Sequence, residues 1–220
     1  MKDELQMQLN KREIKSYVLR DGRITPGQKR ALGEQWAVYG LNIEDGILVD
    51  PFVMAQETVL EIGFGMGDSL FEMAKLHPDQ NFIGVEVHRP GVGHLLQLAA
   101  GAELKNLRVY RADSKDVLDQ CITDGSLDKI QIFFPDPWHK KKHNKRRLIN
   151  DDFVKLLGRK LKSGAVLHIA TDWAPYAEAI SEVMQSWRTC EIPDRVETKY
   201  ERRGLRLDHE VFDFAFENQS

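Results

Sequence analysis

Short apolar runs alternate with amphipathic stretches over most of the chain. Residues 58–62, 82–87, 107–110, 130–134 and 166–170 are apolar with little internal alternation, the pattern of strands buried on both faces. Helical patterns separate them. Leu70, Met73, Ala74 and His77 share one face, with Pro78 as a stop. Leu95, Leu96, Leu98 and Ala99 precede Gly101, and Val117, Leu118 and Cys121 follow Asp113 and Ser114, a suitable N-cap. Ile180, Val183, Met184 and Trp187 keep an i, i+3, i+4, i+7 spacing after Pro175. Strands alternating with helices predict βαβ units, a parallel sheet and right-handed crossovers. The C-terminus departs from this rhythm. Residues 196–202 and 211–216 read as two strands with no helix between them, and Phe212, Phe214 and Phe216 alternate with period two. A hairpin added to the parallel sheet is expected there. Residues 1–50 carry no strong period, only scattered cations such as Lys11, Arg12, Lys15, Arg20, Arg23, Lys29 and Arg30. They read as an N-terminal arm ending at Pro51, ahead of a single domain over residues 51–220.

Composition narrows the setting. With 220 residues, 42% hydrophobic and 30% charged, the chain is long enough for one α/β domain with a large core. It has no apolar run of about 18 residues and no apolar segment near Met1 of the kind that opens a secretion signal, so no membrane association is expected. Cys121 and Cys190 are its two cysteines, too few and too far apart for a disulfide framework or a CxxC metal site. The seven histidines (77, 88, 94, 139, 143, 168, 209) form no metal-spaced set. The expectation is a protein of the reducing cytoplasm that holds no metal and has no obligate protein partner.

The net charge of −3 does not point to nucleic acid, but its distribution does. Residues 138–147 read WHKKKHNKRR, with six Lys/Arg, two His and no acid, a local electrostatic footprint for phosphates.

The candidate chemistry begins after the first strand. Residues 59–67 read VLEIGFGMG, placing Gly63, Gly65 and Gly67 in a strand-to-helix turn where the backbone can take positive φ and approach a ligand. The spacing is GxGxG and not the GxGxxG of dinucleotide sites. Glu61 lies at the end of that strand. Glu86 ends the second strand, Asp113 follows the third and Asp136 the fourth. The carboxyl edge of an open α/β sheet is where ligands bind. Clustered carboxylates there repel one another unless a cation offsets them, and the sulfonium of S-adenosylmethionine is such a cation.

Five segments carry a specific resemblance: VLEIGFGMGDSL (59–70), FIGVEVHRPGV (82–92), IFFPDPWHKKKHNKRR (132–147), ATDW (170–173) and TKYERRG (198–204). Together with VLRDGRITPGQKRAL (18–32) they resemble the signature blocks of bacterial tRNA (guanine-N7-)-methyltransferases, over residues 17–217. The first two blocks mark only a Rossmann-like class I methyltransferase; the PDPWHK block and TKYERRG are particular to the family. The resemblance implies an α/β, mostly parallel seven-stranded sheet with an antiparallel C-terminal strand. S-adenosylmethionine is the implied cofactor, held or flanked by Glu61, Gly63, Gly65, Gly67, Glu86, Asp113 and Asp136. Asp136 is also the implied catalytic residue. Lys140, Asp172, Thr198, Lys199, Tyr200 and Glu201 would contact the substrate, and Lys142, His143, Asn144, Lys145, Arg146 and Arg147 would meet the RNA. The implied partner is tRNA, methylated in its variable loop.

The role of Asp136 also follows from chemistry. Guanine N7 has an in-plane lone pair and no proton at neutral pH, so its methylation needs placement and charge management more than a base. A carboxylate beside the ring favours the positive charge it acquires. Trp138 reads as a base-stacking platform or as the anchor of its loop. Among rival activities, nicotinamide chemistry lacks its glycine fingerprint. A small-molecule methyltransferase has no need of WHKKKHNKRR, and an RNA-binding module has no need of four strand-end acids. Cytosine-C5 chemistry needs a loop cysteine. Methylation of another RNA or of a small molecule is the alternative that keeps the same donor.

Overall fold

A computed structural model describes residues 15–18, 22–49, 51–52, 56–198, 201 and 210–219. Helix α1 (Pro26–Glu34) begins under a capping box, in which the Thr25 hydroxyl accepts from the Gln28 N–H and the Gln28 side chain returns a bond to the Thr25 N–H. Then come α2 (Trp36–Tyr39), β1 (Gly40–Leu41), β2 (Glu57–Ile62), α3 (Asp68–Leu76), β3 (Gln80–Val85) and α4 (Arg89–Gly101). They are followed by β4 (Leu107–Tyr110), α5 (Ser114–Cys121), β5 (Leu127–Phe133), α6 (Asp151–Lys160), β6 (Leu161–Thr171), α7 (Ala174–Val183), β7 (Arg188–Thr189) and β8 (Phe212–Glu217).

The strands form one sheet in the order β1-β4-β3-β2-β5-β6-β8-β7. Pairing is parallel from β1 to β6 and antiparallel where β8 meets β6 and β7. Helices cover both faces. On one, Val117 and Leu118 of α5, Phe153 and Leu157 of α6 and Tyr176 and Ile180 of α7 pack on Leu60, Ile132 and Leu167. On the other, Leu70 of α3, Leu95 and Leu96 of α4 and Ala31 of α1 pack on Val59, Phe82 and Leu107. Burying apolar area on both faces of a parallel sheet is the main stabilising contribution in such a fold.

Four features differ from the sequence expectations. The sheet has eight strands rather than seven, because the two-residue β1 extends its far edge. The segment read as an arm supplies α1, α2 and β1, and buries Gln28, Ala31 and Tyr39. Helix α6 was not anticipated. β8 pairs with β6 and with the short β7; of the strand expected over residues 196–202, residues 196–198 form no strand, and residues 199, 200 and 202 lie outside the described residues. Two residues on a sheet edge are too short to leave a periodic signal.

Candidate active site

Register brings the strand ends into one row. Ile62 of β2 pairs with Val85 of β3 and Ile132 of β5; Val85 also pairs with Tyr110 of β4, and Ile132 with Ile169 of β6. The chain therefore leaves the sheet side by side toward Asp113, Glu86, Gly63, Asp136 and Asp172, on five consecutive strands.

The glycine turn has φ of 77° at Gly63, 60° at Gly65 and 80° at Gly67, left-handed values that L side chains disfavour. Glu86 fastens it. One carboxylate oxygen accepts from the Gly65 N–H at 2.8 Å, and the other from the N–H groups of Val87 and His88 at 2.7 and 2.9 Å. The start of α4 presses on the same turn, for a Cβ at Gly91 would lie 1.8 Å from the Gly65 carbonyl oxygen. A Cβ at Gly63 would meet no atom within 4 Å. Backbone at Gly63 thus faces open space, which is what close approach of a ligand requires.

Glu61 lies beneath, 3% exposed, with the Gln131 amide 3.5 Å away. Loss of solvent pushes its carboxyl up to about 7; the Gln131 hydrogen bond opposes this and nearby Glu86 adds to it. Asp113 caps α5 by accepting from the Lys115 N–H at 3.1 Å and pairs with Lys15 at 2.9 Å. A row of acids beside an open glycine turn fits a cationic ligand with a sulfonium centre. Among the described residues no group of three His, Cys, Asp or Glu is arranged to hold a metal ion.

Asp136 is exposed at the centre of a constrained loop. Phe134 and Trp138, on either side of it, both take left-handed φ, 51° and 49°. Two non-glycine residues in that region, flanking one carboxylate between prolines, mark a loop that the surrounding contacts hold in place. The anchor reading of Trp138 is the one the geometry carries. Its indole N–H donates to the Ser16 carbonyl at 2.9 Å, the Arg146 guanidinium lies 3.9 Å over its ring, and the His143 ring meets it edge-on. The next residue, His139, packs edge-on against Trp173, which ties this loop to the one carrying Asp172.

The basic run divides. Lys140, Lys141, Lys142 and Lys145 are exposed, and Lys141–Arg146 forms a short 3-10 helix. Asn144 faces the carbonyls of Trp138 and Lys140, to which its amide nitrogen donates when turned toward them, at 3.0 and 3.3 Å. Arg146 donates to the carbonyls of Lys15 and Tyr17, both at 3.0 Å. Arg147 is 9% exposed and donates to the carbonyls of Pro137 and Pro175. The guanidinium groups of Arg146 and Arg147, both expected to meet the RNA, are thus hydrogen-bonded to backbone carbonyls of the chain itself. Residues 15–17 consequently cross the row of strand ends, from Asp113 at one side to Trp138 and Arg146 at the other.

Of the expected substrate residues, Thr198 and Glu201 form a reciprocal pair of backbone-to-side-chain hydrogen bonds, the Thr198 N–H donating to the Glu201 carboxylate and the Glu201 N–H to the Thr198 hydroxyl. Lys199 and Tyr200 lie outside the described residues. The Glu201 carboxylate is held by both terminal nitrogens of Arg195. Arg195 also reaches Asp213 of β8, which accepts from or pairs with His168 at 2.6 Å, and the guanidinium lies over the rings of Phe133 and Phe134. Arg195 and Gly91 went unread in the sequence. Arg195 sits in a segment without period, and its partners lie on separate elements; Gly91 looks like an ordinary helix-start glycine until its neighbour is seen.

Comparison with known proteins is concordant. Residues 55–214 match a family model described as a putative methyltransferase. A tRNA (guanine-N(7)-)-methyltransferase of Shewanella baltica is 52% identical, with 94% of this chain and 92% of the relative covered. That of Saccharophagus degradans is 49% identical, with 96% and 98% covered. Among solved structures, the 16S rRNA methyltransferase KamB superimposes with a TM-score of 0.56 over 91% of this chain and 97% of its own, at 13% identity. The aminoglycoside resistance methyltransferase NpmB1 gives 0.54 over 93% and 98%, at 16%. These two likenesses speak for the fold alone. The extent and level of the sequence matches place the chain in the tRNA (guanine-N(7)-)-methyltransferase family.

Proposed function

We propose that this chain transfers a methyl group from S-adenosylmethionine to N7 of a guanosine in the variable loop of tRNA. The observation that carries the reading is the placement of Asp136, held between two left-handed residues beside the glycine turn and its row of acids. When bound, the donor supplies an electrophilic methyl on a positively charged sulfur. The turn at Gly63 and Gly65 offers it backbone contact, with Glu86 and Asp113 nearby for its hydroxyls and adenine, and Glu61 for its charge. Asp136 accepts hydrogen bonds from the guanine N1–H and amino group, which orients N7 and supports the positive charge that the ring gains. It takes no proton from N7. Lys140, Asp172 and the segment from Thr198 through Lys199 and Tyr200 to Glu201 hold the acceptor nucleoside. The exposed Lys142 and Lys145, with His143 at their side, meet phosphates, which set position and not sequence. No helix among the described residues is long and apolar enough to cross a membrane, and a tRNA substrate supports a cytoplasmic enzyme.

Tritium-labelled S-adenosylmethionine and an unmodified tRNA transcript test this. Label in 7-methylguanosine, lost in Asp136→Ala, is the expected result. Label in another nucleoside would overturn the role given to Asp136. Label absent from tRNA but present on another RNA or a small molecule would favour the alternative acceptor.

A further inference from the structure

Arg147 closes the basic run, yet its guanidinium is directed into the protein. Its Nε donates to the carbonyl of Pro137, next to Asp136, at 3.0 Å. Its Nη1 donates to the carbonyl of Pro175, in the first turn of α7 after Asp172, at 3.1 Å. Its Cζ lies over the ring of Tyr176, 4.7 Å from the ring centre; Tyr176 is fully buried, and its hydroxyl accepts from the Ile149 N–H at 3.1 Å. The Arg147 backbone is fixed as well, its N–H donating to Asn144 and its carbonyl accepting from the Asn150 amide. A planar guanidinium holds two acceptors at a set separation and stacks on an aromatic face; an ammonium does neither.

We propose that Arg147 is a positioning residue for methyl transfer, acting through Asp136 and contacting no phosphate. It clamps the loop after β5 to the first turn of α7, which follows the Asp172 loop, and so sets the distance between the two carboxylates assigned to the acceptor base. The proposal rests on the function proposed above. It splits the basic run in two: the exposed lysines address the RNA backbone, and the terminal arginines brace the surface that receives the base.

The test uses the full chain, unmodified tRNA transcript and S-adenosylmethionine. The single-turnover rate is measured at saturating tRNA, and tRNA affinity is measured across roughly 50–300 mM salt. Arg147→Lys is expected to lower the rate by about 10²-fold, the cost of a misplacement of about 1 Å, with tRNA affinity and its salt slope unchanged. Methylguanidine is expected to restore part of the rate to Arg147→Ala. Lys142→Ala, by contrast, is expected to weaken tRNA binding and reduce the salt slope by about 1. Weakened affinity with a reduced slope in Arg147→Lys would overturn the proposal in favour of a phosphate contact. A lowered melting temperature with rate and affinity both intact would overturn it in favour of a purely structural role. Should Arg147→Ala not fold, Arg147→Lys decides alone. A wild-type chain that makes no 7-methylguanosine would overturn the functional reading and this proposal with it; wild-type product with an unimpaired Arg147→Lys overturns this proposal only.

Discussion

The ammonium of Lys15 stands 2.9 Å from the carboxylate of Asp113, 98 residues away in sequence. Asp113 is nearly buried, with 7% of its side chain exposed, and Lys15 is partly open at 36%. Because the other Asp113 oxygen caps α5, a donor that uses Asp113 competes with Lys15. Lys15→Gln is therefore expected to tighten S-adenosylhomocysteine binding by up to about fivefold at low salt, the ceiling for a partly exposed ion pair. Calorimetric titration checks this, and the gain should fade near 0.5 M salt. Unchanged affinity at low salt would remove Asp113 from the donor site.

Gly91→Ala tests the contact between α4 and the glycine turn. The new methyl would fall on a carbonyl oxygen at 1.8 Å, and backbone on both sides leaves little room to yield. A destabilisation of at least about 2 kcal/mol is expected, lowering Tm by roughly 4–8 °C, together with a loss of donor affinity exceeding about tenfold. An alanine variant that melts and binds like wild type would show that the two elements move apart freely.

Glu61 makes the unliganded protein sensitive to pH. Its folded pKa of about 7 lies above the ordinary 4.5, so the fold favours the neutral acid. Stability from this group is complete below about 4.5 and is lost as pH rises through about 7. Glu61→Gln, which stays neutral, is expected to match wild type near pH 5. At pH 8 it should be the more stable by on the order of 2 kcal/mol. Thermal melts at the two pH values read the difference, and equal melting at both would place Glu61 in contact with solvent.

Much of this was legible beforehand because it rests on period and composition. The five central parallel strands announce themselves as apolar runs, and Asp113 as a cap. The glycine turn is visible because glycine takes left-handed φ values at far lower cost than other residue types. What escaped depends on contacts between distant segments. The tie between Glu86 and Gly65 gives no local signal. Neither does the inward turn of Arg147, since an arginine at the end of a basic run is indistinguishable in sequence from its exposed neighbours. The polar cluster of Arg195, Glu201, Asp213 and His168 assembles from β6, β8 and an irregular segment, so nothing in the sequence connects its members.

That cluster yields a further expectation. The Arg195 side chain is 9% exposed and bridges two carboxylates. Arg195→Met would strand the Glu201 carboxylate and leave Asp213 with His168 alone, and breaking a buried pair from one side costs about 3–5 kcal/mol. The variant is expected to melt at least about 6 °C lower and, with Glu201 on the acceptor side as proposed, to lose tRNA methylation more than donor binding. Equal losses of both would unseat that assignment.

Phe134 and Trp138 hold backbone conformations that each cost about 1–3 kcal/mol, and the rest of the fold sustains them. Glycine at position 134 would relax the chain locally while releasing the span up to Trp138, whose own strained backbone is held by its indole contacts. The most heat-resistant form of this protein and the most active one should therefore differ at residue 134. A selection for thermal endurance alone would be drawn toward a loosened, slower enzyme there, whereas one that also demands turnover would keep the strained Phe134 and gain its stability elsewhere.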